Sequence, residues 1–384
     1  MNKKILYLFA IFMMLITLGA SCSGCSSKPK DGGVYKSTDQ GETWEQKTFI
    51  SKVKRKVYTI SELNITCFEF DKNDSNVVYA GTMGAGIVVT KNGGENWEAT
   101  GLTTGNIYSI DIDPIDRNIL YAAKDYYIIR TVDGGANWET VHTDTKKNKF
   151  NQVIIDTYDP HKIYAVSDSG IVYKSVDQGV NWEIKLQLDS EIKNLYMRDR
   201  DTRILYALTQ DGDIYKTTTG GELIVSDENV DNQDESELIV NNAWTNIITK
   251  EHKDKWPTGK TAKNMFIFPQ EPNSIYMVTR HGLLKSTNEG ASWVEMKTLI
   301  PLDDKENDKI INLNMDALDS RIMYFTISGT DKIHKSTNSG GNWKVIENFP
   351  STKLIKTLVI NPYEPSTLYT GIEIPEEKGG LIKT

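Results

Sequence analysis

Carboxylates are the residues of this 384-residue chain with the greatest capacity for chemistry, because 52 of its residues are aspartate or glutamate. Two carboxylates set several ångströms apart can hydrolyse a glycosidic bond, one as acid and the other as base or nucleophile. Most of the acids nevertheless stand in short polar turns behind apolar segments, as Asp113, Asp156 and Asp316 do. Aspartate commonly closes such a turn through the backbone. The sequence therefore presents no evident catalytic pair.

Histidine and cysteine show no metal-ligand or nucleophile pattern. The five histidines are scattered at positions 142, 161, 252, 281 and 334. Cys22 and Cys25 lie near the N-terminus, and the third cysteine, Cys67, has the surroundings of a buried strand residue. The glycine-rich segments lack the spacing of a phosphate-binding loop or a nucleophile elbow. We therefore predict no metal, no cofactor and no disulfide framework.

The first residues have the pattern of an export signal. Residues 1–21 begin with lysines, continue with an apolar stretch over 5–18 and end with small residues ahead of Cys22. The segment LGAS-Cys22 resembles the lipobox of bacterial lipoproteins, whose cysteine is lipidated, although the leucine lies four residues before Cys22 rather than three. Cys25 is the alternative acceptor. We expect a protein anchored by lipid to the outside of a bacterial inner or outer membrane, with residues 22–33 as its tether.

One motif, Ser/Thr-x-Asp/Asn-x-Gly-x-x-Trp, recurs through the rest of the chain. Its aspartate or asparagine is found at Asp39, Asn92, Asp133, Asp177, Asn288 and Asn338. Its tryptophans are Trp44, Trp97, Trp138, Trp182, Trp293 and Trp343. A degenerate copy at 217–221 is separated from Trp244 by an insertion over about 220–242. Self-similarity of this kind indicates a repeat architecture.

A second motif gives an independent count of seven repeats. A polar turn precedes a short apolar strand centred on a tyrosine, namely Tyr79, Tyr121, Tyr164, Tyr206, Tyr276, Tyr324 and Tyr369. Successive tyrosines are about 44 residues apart, except around the insertion. Each unit reads as four antiparallel strands with period-two alternation and Gly/Asn/Asp turns. The sequence therefore predicts one all-β domain over residues 34–384, a seven-bladed propeller of four-stranded blades.

The first motif is identified as the Asp-box, also called the bacterial neuraminidase repeat. Through it the chain resembles sialidases, sortilin ectodomains, xyloglucan-active glycosidases and the photosystem II assembly and stability factors, over about residues 32–384. In these families the Asp-box is a structural turn between the third and fourth strands, away from the central funnel. The resemblance therefore implies that the Asp-box residues of this chain shape turns, with tryptophan packed between neighbouring sheets.

The two ends of the chain compete for one strand of the last blade. Residues 33–48 supply a third strand, an Asp-box and a fourth strand, whereas residues 354–384 supply three strands and stop. We expect the N-terminal strands to close the last blade. Since GGVYKS at 32–37 and GGLIKT at 379–384 fit the same position, either one of them lies outside the sheet or the sequence is cut from a longer protein.

Arginine gives no sign of sialidase activity, which would need a cluster of arginines and an Arg-Ile-Pro motif that this chain lacks. Arg117, Arg203 and Arg321 fall at equivalent repeat positions, and we expect equivalent positions of a ring not to meet at one site. Xyloglucan-active relatives place two propellers around a cleft, and this chain has one.

The basic run of the chain is interpreted as a solvated linker. It consists of Lys52, Lys54, Arg55 and Lys56. The alternative is that these residues contact anionic lipid headgroups or an acidic partner.

These observations favour a non-enzymatic binding or assembly module. It would be an extracytoplasmic, lipid-anchored propeller that holds a protein or carbohydrate ligand at one face or at the mouth of its channel. The net charge of −8 argues against nucleic acid as a partner. The alternative is a glycoside hydrolase of the xyloglucan-active type, with carboxylates in the funnel. The identity of the ligand and the face that binds it stay open.

Overall fold

The computed structural model describes residues 30–222, 243–248, 252, 262–279, 282–296 and 310–374. Their strands form seven four-stranded antiparallel sheets and one separate two-stranded hairpin. This arrangement confirms the predicted all-β, seven-bladed propeller. Within the same residues, no helix combines the length and the apolar character needed to cross a membrane.

The strands follow one another in chain order through the blades. The first four are β1 (Val34–Ser37), β2 (Glu45–Gln46), β3 (Phe49–Val53) and β4 (Lys56–Thr59). Blade 1 contains β5 (Ile65–Phe70), β6 (Val78–Thr82), β7 (Ile87–Thr90) and β8 (Glu98–Ala99). Blade 2 contains β9 (Ile107–Ile112), β10 (Leu120–Lys124), β11 (Tyr127–Thr131) and β12 (Glu139–Thr143). Blade 3 contains β13 (Phe150–Ile155), β14 (Ile163–Ser167), β15 (Ile171–Ser175) and β16 (Glu183–Gln187).

The remaining blades repeat the same order. Blade 4 contains β17 (Ile192–Met197), β18 (Leu205–Thr209), β19 (Ile214–Thr217) and β20 (Thr245–Asn246). Blade 5 contains β21 (Asn264–Phe266), β22 (Ile275–Thr279), β23 (Gly282–Ser286) and β24 (Val294–Glu295). Blade 6 contains β25 (Ile310–Met315), β26 (Met323–Ile327), β27 (Ile333–Ser336) and β28 (Lys344–Val345). The last two strands are β29 (Ile355–Ile360) and β30 (Leu368–Ile372).

Blade 7 is shared between the two ends of the chain. Its strand order is β29, β30, β1 and β2, and β1 pairs antiparallel with β30 in the register Tyr35↔Thr370. The segment GGVYKS thus fills the contested strand position, while 379–384 lies outside the described residues. Closing the ring in this way pairs backbone groups that would otherwise form open sheet edges.

The core lies between successive blades. Each of seven hydrophobic clusters draws its side chains from two neighbouring sheets. The second strands are buried along their length, as Val78–Thr82 and Ile163–Ser167 are, because a sheet packs against each of their faces. This is why these strands read as continuous apolar runs rather than as alternating ones. The first strands alternate instead, since one side of each faces the central channel.

The first strand of most blades carries a β-bulge near its start. In blade 1 the register shifts between Ile65 and Cys67, and the same shift recurs between Phe150 and Gln152 in blade 3. A bulge inserts one extra residue and changes the direction of the side chains around it. Two successive residues, such as Thr66 and Cys67, are accordingly only half-buried. In blade 3 both residues at the bulge, Asn151 and Gln152, line the central channel.

The ring has two distinct faces because its strands run antiparallel. The Asp-box face carries the Asp-boxes and the turns between first and second strands, which are joined by bonds such as Gly134 N to Asn118 O at 2.9 Å. The inter-blade face carries the turns between second and third strands and the connections between blades, joined by bonds such as Asp125 N to Asn106 O at 3.1 Å. The chain enters β1 from the inter-blade face, so residue 30 lies on that side.

The basic run is exposed to solvent, as expected, but it is part of a hairpin rather than a simple linker. β3 and β4 pair antiparallel with Lys52 opposite Val57 and Val53 opposite Lys56, and Lys54 occupies the turn with a φ of 55°. The hairpin belongs to the connection from blade 7 to blade 1 on the inter-blade face. Sequence reasoning missed it because the segment is short and lacks a two-residue turn of the Asn-Gly type.

Candidate functional site

The Asp-box residues build a repeated turn. In the first copy Asp39 Oδ1 accepts the backbone N–H of Thr43 at 2.8 Å and the hydroxyl of Ser37 at 2.8 Å, while Ser37 Oγ accepts Gly41 N–H at 2.8 Å. Gly41 has a φ of 90°, which a residue with a side chain adopts only under strain. The bond to the N–H four residues on recurs at Asn92, Asp133, Asp177, Asn288 and Asn338.

Hydrogen bonds also explain the acidity of these carboxyls. Bonds from Asn181 lower the pKa of Asp177 to about 2, and bonds from Asn137 lower the pKa of Asp133. Donors to the ionised form favour it. Three Asp-boxes carry asparagine instead, and Asn288 Oδ1 accepts the same backbone N–H at 2.9 Å. A neutral acceptor thus suffices for the turn.

The two repeat motifs of the sequence meet between blades. The hydroxyl of Tyr79 in blade 1 donates to the Asp-box carbonyl of Gly134 in blade 2 at 3.2 Å, and Tyr121 in blade 2 donates to Gln178 O in blade 3 at 2.9 Å. Further tyrosine hydroxyls make the same bond, at Tyr164, Tyr324 and Tyr369. The Asp-box carbonyl is therefore occupied by a neighbouring blade.

Each Asp-box tryptophan packs between its own blade and the preceding one. Trp97 is fully buried against blade 7, and Trp138 packs in the cluster between blades 1 and 2. The others occupy the same place in their clusters, at Trp44, Trp182, Trp293 and Trp343. Trp244 fills it in blade 4, where β20 follows it directly, so the degenerate repeat keeps its tryptophan across the insertion.

The turn aspartates and the repeat arginines are likewise structural. Asp113 is buried and its Oδ1 accepts the N–H of Ile115 at 2.7 Å, and Asp156 and Asp316 make the corresponding bonds. Arg203 and Arg321 each pair with the aspartate two residues before them on the Asp-box face. Arg117 instead pairs with Asp71 of blade 1 at 2.7 Å. These arginines do not come together.

The central channel contains a cavity of about 530 Å³. The first strands of blades 1 to 4 line it, and residues 267 and 269 close it from blade 5. Side chains of the turns that follow these strands, including Thr157 and Asp199, also line it, so the cavity reaches the Asp-box face. Concave sites with a few convergent polar groups are the usual ligand sites of proteins.

One position of the repeat, on the first strand of each blade, carries a different residue in each of the seven blades. Each of these residues pairs with a repeat tyrosine of its own blade. In blade order they are Glu69, Asp111, Ile154, Tyr196, Phe266, Asn314 and Val359. The first four line the cavity. The expectation that equivalent positions of the ring cannot meet is therefore wrong for the innermost strands, because these strands surround a common axis.

Glu69 and Asp111 form a pair of channel carboxyls on adjacent blades. Burial raises the pKa of Asp111 to about 6. The N–H of Ile155 donates to Asp111 Oδ2 at 2.7 Å, and this bond opposes the rise in pKa. Burial and the nearby carboxyl of Asp111 hold the pKa of Glu69 well above its usual range. The ammonium of Lys72 opposes both shifts. Neighbouring like charges resist joint ionisation, so the pair retains a proton above the usual range of carboxyls.

Neutral polar groups complete the channel wall by bonding from blade to blade. Gln152 Oε1 accepts Leu195 N–H at 2.8 Å, and the hydroxyl of Tyr196 donates to Asn264 Oδ1 at 2.9 Å. Burial raises the pKa of Tyr196, which keeps it a neutral donor. These bonds fix the orientation of polar side chains before any ligand arrives, and a pre-organised site loses less freedom on binding.

Cys67 and His334 occupy packed positions in the propeller. Cys67 lines the channel cavity, where burial raises its pKa to about 11, so its thiol is protonated and unreactive. His334 stacks on Phe325 with ring centroids 4.4 Å apart. Across the described residues, no group of three or more His, Cys, Asp or Glu side chains could hold a metal ion. The lipidation candidates Cys22 and Cys25 and most of the acidic insertion lie outside them.

Sequence reasoning missed Glu69, Asp111 and Tyr196 as site residues. The signal that could have identified them is their position in the repeat. Each lies on a first strand and pairs with the repeat tyrosine of its own blade, and the equivalent residues of two other blades are Ile154 and Val359. A charged residue at a position that is apolar in sister repeats marks a place where the repeats differ. The predicted Asp-box residues, by contrast, are distributed around the ring and do not form a common site.

The fold and the repeated turns define the chain as an Asp-box β-propeller with seven blades. The family model described as photosynthesis system II assembly factor YCF48 matches residues 59–203, and the BNR/Asp-box repeat model matches residues 35–46. The match to the YCF48 model thus covers blades 1 to 3 and the first strand of blade 4. None of the curated proteins matches it.

Solved structures share the fold at low identity. A structure of YCF48 bound to D1 peptide is 14% identical with a TM-score of 0.58, over 92% of this chain and 100% of that one. YCF48 from Cyanidioschyzon merolae is 14% identical with a TM-score of 0.57, over 81% and 96%. The GH74 xyloglucanase from Xanthomonas campestris is 15% identical with a TM-score of 0.62, over 80% of this chain but 51% of the enzyme. These similarities establish the fold.

Proposed function

We propose that this protein is a non-enzymatic binding or assembly module that holds a segment of a protein partner at the mouth of its central channel. The observation that carries the proposal is the contrast between its repeats. The Asp-boxes, tyrosines and tryptophans recur from blade to blade, whereas the channel register presents acidic, aromatic, amide and aliphatic side chains. A ring that is uniform for stability and varied at its centre suits recognition of an asymmetric ligand.

The chemistry of the wall favours a peptide. Tyr196 offers an aromatic surface with a polar end, Asn194 and Gln152 offer amides, and Glu69 with Asp111 offers acceptors for a positively charged group. Aromatic and amide groups of this kind suit the alternating polar and apolar character of a polypeptide. The fold-level likeness to a YCF48 structure containing D1 peptide supports the same reading. A glycan could use the same amides and tyrosine, so it is a competing ligand class.

Binding to peptide and glycan arrays tests the proposal. We expect the full chain to retain selected peptides, and Tyr196→Ala together with Asn194→Ala to reduce affinity at least tenfold. The matched control is Glu347→Gln, an exposed residue remote from the cavity lining, which should bind as the unaltered protein does. Equal retention by the channel variant, or selective binding to glycans alone, would contradict a peptide site in the channel.

A glycoside hydrolase is the second candidate, and one observation favours it. Glu69 and Asp111 line one cavity with pKa values raised by burial, and a carboxyl protonated near neutral pH can serve as a general acid. A screen for hydrolysis of xyloglucan and other polysaccharides discriminates between the two. Turnover that is lost in both Glu69→Gln and Asp111→Asn would replace the binding module by an enzyme.

The location of the protein is part of the proposal. The export pattern of residues 1–21 and the lipobox-like residues before Cys22 support a lipid-anchored protein on the extracytoplasmic side of a bacterial membrane. The intact mass of the mature protein is the direct measurement. We expect it to begin at Cys22 with an added diacylglycerol and acyl chain, and an unmodified N-terminus would contradict the anchor.

A further inference from the structure

We propose that the β3–β4 hairpin docks the propeller onto an anionic lipid bilayer and turns the Asp-box face, with the mouth of the channel, away from the membrane. Its tip is the six-residue run Lys52–Val57, which is exposed at every position. Four of these six residues are basic, and the hairpin segment 49–61 contains no acidic residue. This local charge contrasts with the net charge of −8 for the whole chain.

The hairpin also presents apolar side chains beside its cations. Val53 is 46% exposed and lies opposite Lys56, while Val57 is 49% exposed and lies opposite Lys52. Within the described residues neither valine packs into a hydrophobic cluster of the propeller. A bilayer surface accepts both types of side chain, since headgroup phosphates attract the cations and the interfacial region accepts small apolar groups. An acidic protein surface would satisfy the charges alone.

The base of the hairpin is fixed to the body by backbone hydrogen bonds at both of its ends. Trp97 N–H donates to Phe49 O at 2.8 Å, and Ile60 N–H donates to Thr48 O at 2.8 Å. Ile50 packs against the core cluster between blades 7 and 1. Five residues of extended strand span about 17 Å, so basic groups at the tip stand well away from these anchoring points.

The chain itself enters the fold beside this hairpin. Gln46 Nε2 donates to Lys30 O at 2.7 Å, and Lys30 forms an ion pair with Glu62, three residues beyond β4. If Cys22 carries the lipid, the residues from Cys22 to Lys30 reach at most about 28 Å even when fully extended. The anchor would therefore hold the inter-blade face, with its hairpin, towards the bilayer. This distance rests on the proposed lipid anchor, whereas the charge and exposure of the hairpin do not.

Lysine acylation measured by mass spectrometry tests the docking on the full chain. The protein is mixed with vesicles of phosphatidylcholine alone or of phosphatidylcholine with phosphatidylglycerol. We expect acylation of Lys52, Lys54 and Lys56 to slow at least fivefold on the anionic vesicles. The reason is that each basic residue near such a surface raises the affinity for the membrane roughly fivefold, so that four together keep the hairpin bound. High salt should reverse the effect. Lys91 on the Asp-box face, whose side chain is 66% exposed, should react at an unchanged rate.

Matched variants separate the hairpin from general charge. The hairpin variant carries Lys52→Gln, Lys54→Gln, Arg55→Gln and Lys56→Gln. The control loses four cations on the Asp-box side instead, through Lys91→Gln, Arg203→Gln, Arg321→Gln and Lys344→Gln. We expect flotation with anionic vesicles in low salt to fall at least tenfold for the first variant and less than twofold for the second. Circular dichroism melting checks that both variants are folded.

Several outcomes would overturn the proposal. Unchanged acylation of the hairpin on anionic vesicles, equal protection on neutral vesicles, or protection of Lys91 instead would each do so. Binding of the hairpin to polyglutamate without protection on vesicles would assign it to an acidic protein. The intact mass of the N-terminus distinguishes this failure from that of the proposed anchor, because an unlipidated chain whose hairpin is still protected contradicts the anchor alone.

Discussion

The hydroxyl of Tyr369 donates a hydrogen bond of 3.1 Å to the backbone carbonyl of Gly93 and so joins blade 7 to blade 1. The two residues are 276 positions apart in the chain. Lys36 Nζ, from the N-terminal strand of blade 7, donates to the same carbonyl at 2.8 Å. One Asp-box carbonyl thus receives bonds from both ends of the chain, at the junction where the ring closes.

Removing this hydroxyl is expected to weaken ring closure. Tyr369→Phe should lower the free energy of unfolding by about 1 kcal/mol, because a buried hydrogen bond is lost while Lys36 still satisfies the carbonyl. Equilibrium unfolding in urea measures the change. Tyr158→Phe is the control, since that side chain is 64% exposed, and it should have little effect. An equal change in both variants would show that the Tyr369 bond contributes nothing specific.

The Asp-box turn should tolerate asparagine but not alanine. Asp177→Asn keeps an acceptor for the Asn181 N–H, as Asn92 does in its own repeat, whereas Asp177→Ala removes it. We expect the melting temperature at pH 7 to fall clearly for the alanine variant and only slightly for the asparagine variant.

The same carboxyl gives this turn a pH dependence at the acid end. The pKa of Asp177 is lowered to about 2 by its hydrogen bonds, so its contribution is complete above pH 4 and is lost as the pH falls towards 2. The difference in melting temperature between the unaltered protein and Asp177→Asn should therefore shrink over that interval. A constant difference would contradict a role for the ionised form.

The channel carboxyls are expected to destabilise the folded protein at neutral pH. The pKa of Asp111 in the folded protein is raised to about 6. The free energy of unfolding is therefore highest below pH 4, where this carboxyl is protonated in both states, and it falls as the pH rises from 4 to 6. Asp111→Asn keeps an acceptor for Ile155 N–H and should gain about 2 kcal/mol at pH 7 but almost nothing at pH 4. Urea unfolding at both pH values measures this, and an equal gain at each would exclude titration as the cause.

His334 should produce the opposite trend. Burial lowers its pKa to about 4, so its neutral form stabilises the fold above pH 6.5 and this stability is lost as the pH falls towards 4. In His334→Phe the ring still stacks on Phe325 and cannot take up a proton. Between pH 7 and pH 4, the free energy of unfolding of the unaltered protein should fall by roughly 2 kcal/mol more than that of His334→Phe. Parallel pH profiles for the two proteins would refute this.

The local patterns of the chain were sufficient to predict the blade. Ser37, Asp39 and Gly41 interact within five residues, and the tyrosine strand is a buried apolar run of similar length, so both signals survive in the sequence without knowledge of the fold. Seven recurrences then required a closed ring. The hairpin at Lys52–Val57 was missed because one short segment outside the repeat offers no recurrence to compare.

The repeat, the number of blades and the Asp-box turns could be predicted from the amino-acid sequence, because each depends on residues close together in the chain. Three relationships became visible only in the folded protein: Glu69, Asp111 and Tyr196 line one cavity, β1 completes blade 7, and the basic run forms a hairpin. The first two depend on which strand is innermost and on how distant segments pair. They exist only once the ring has closed.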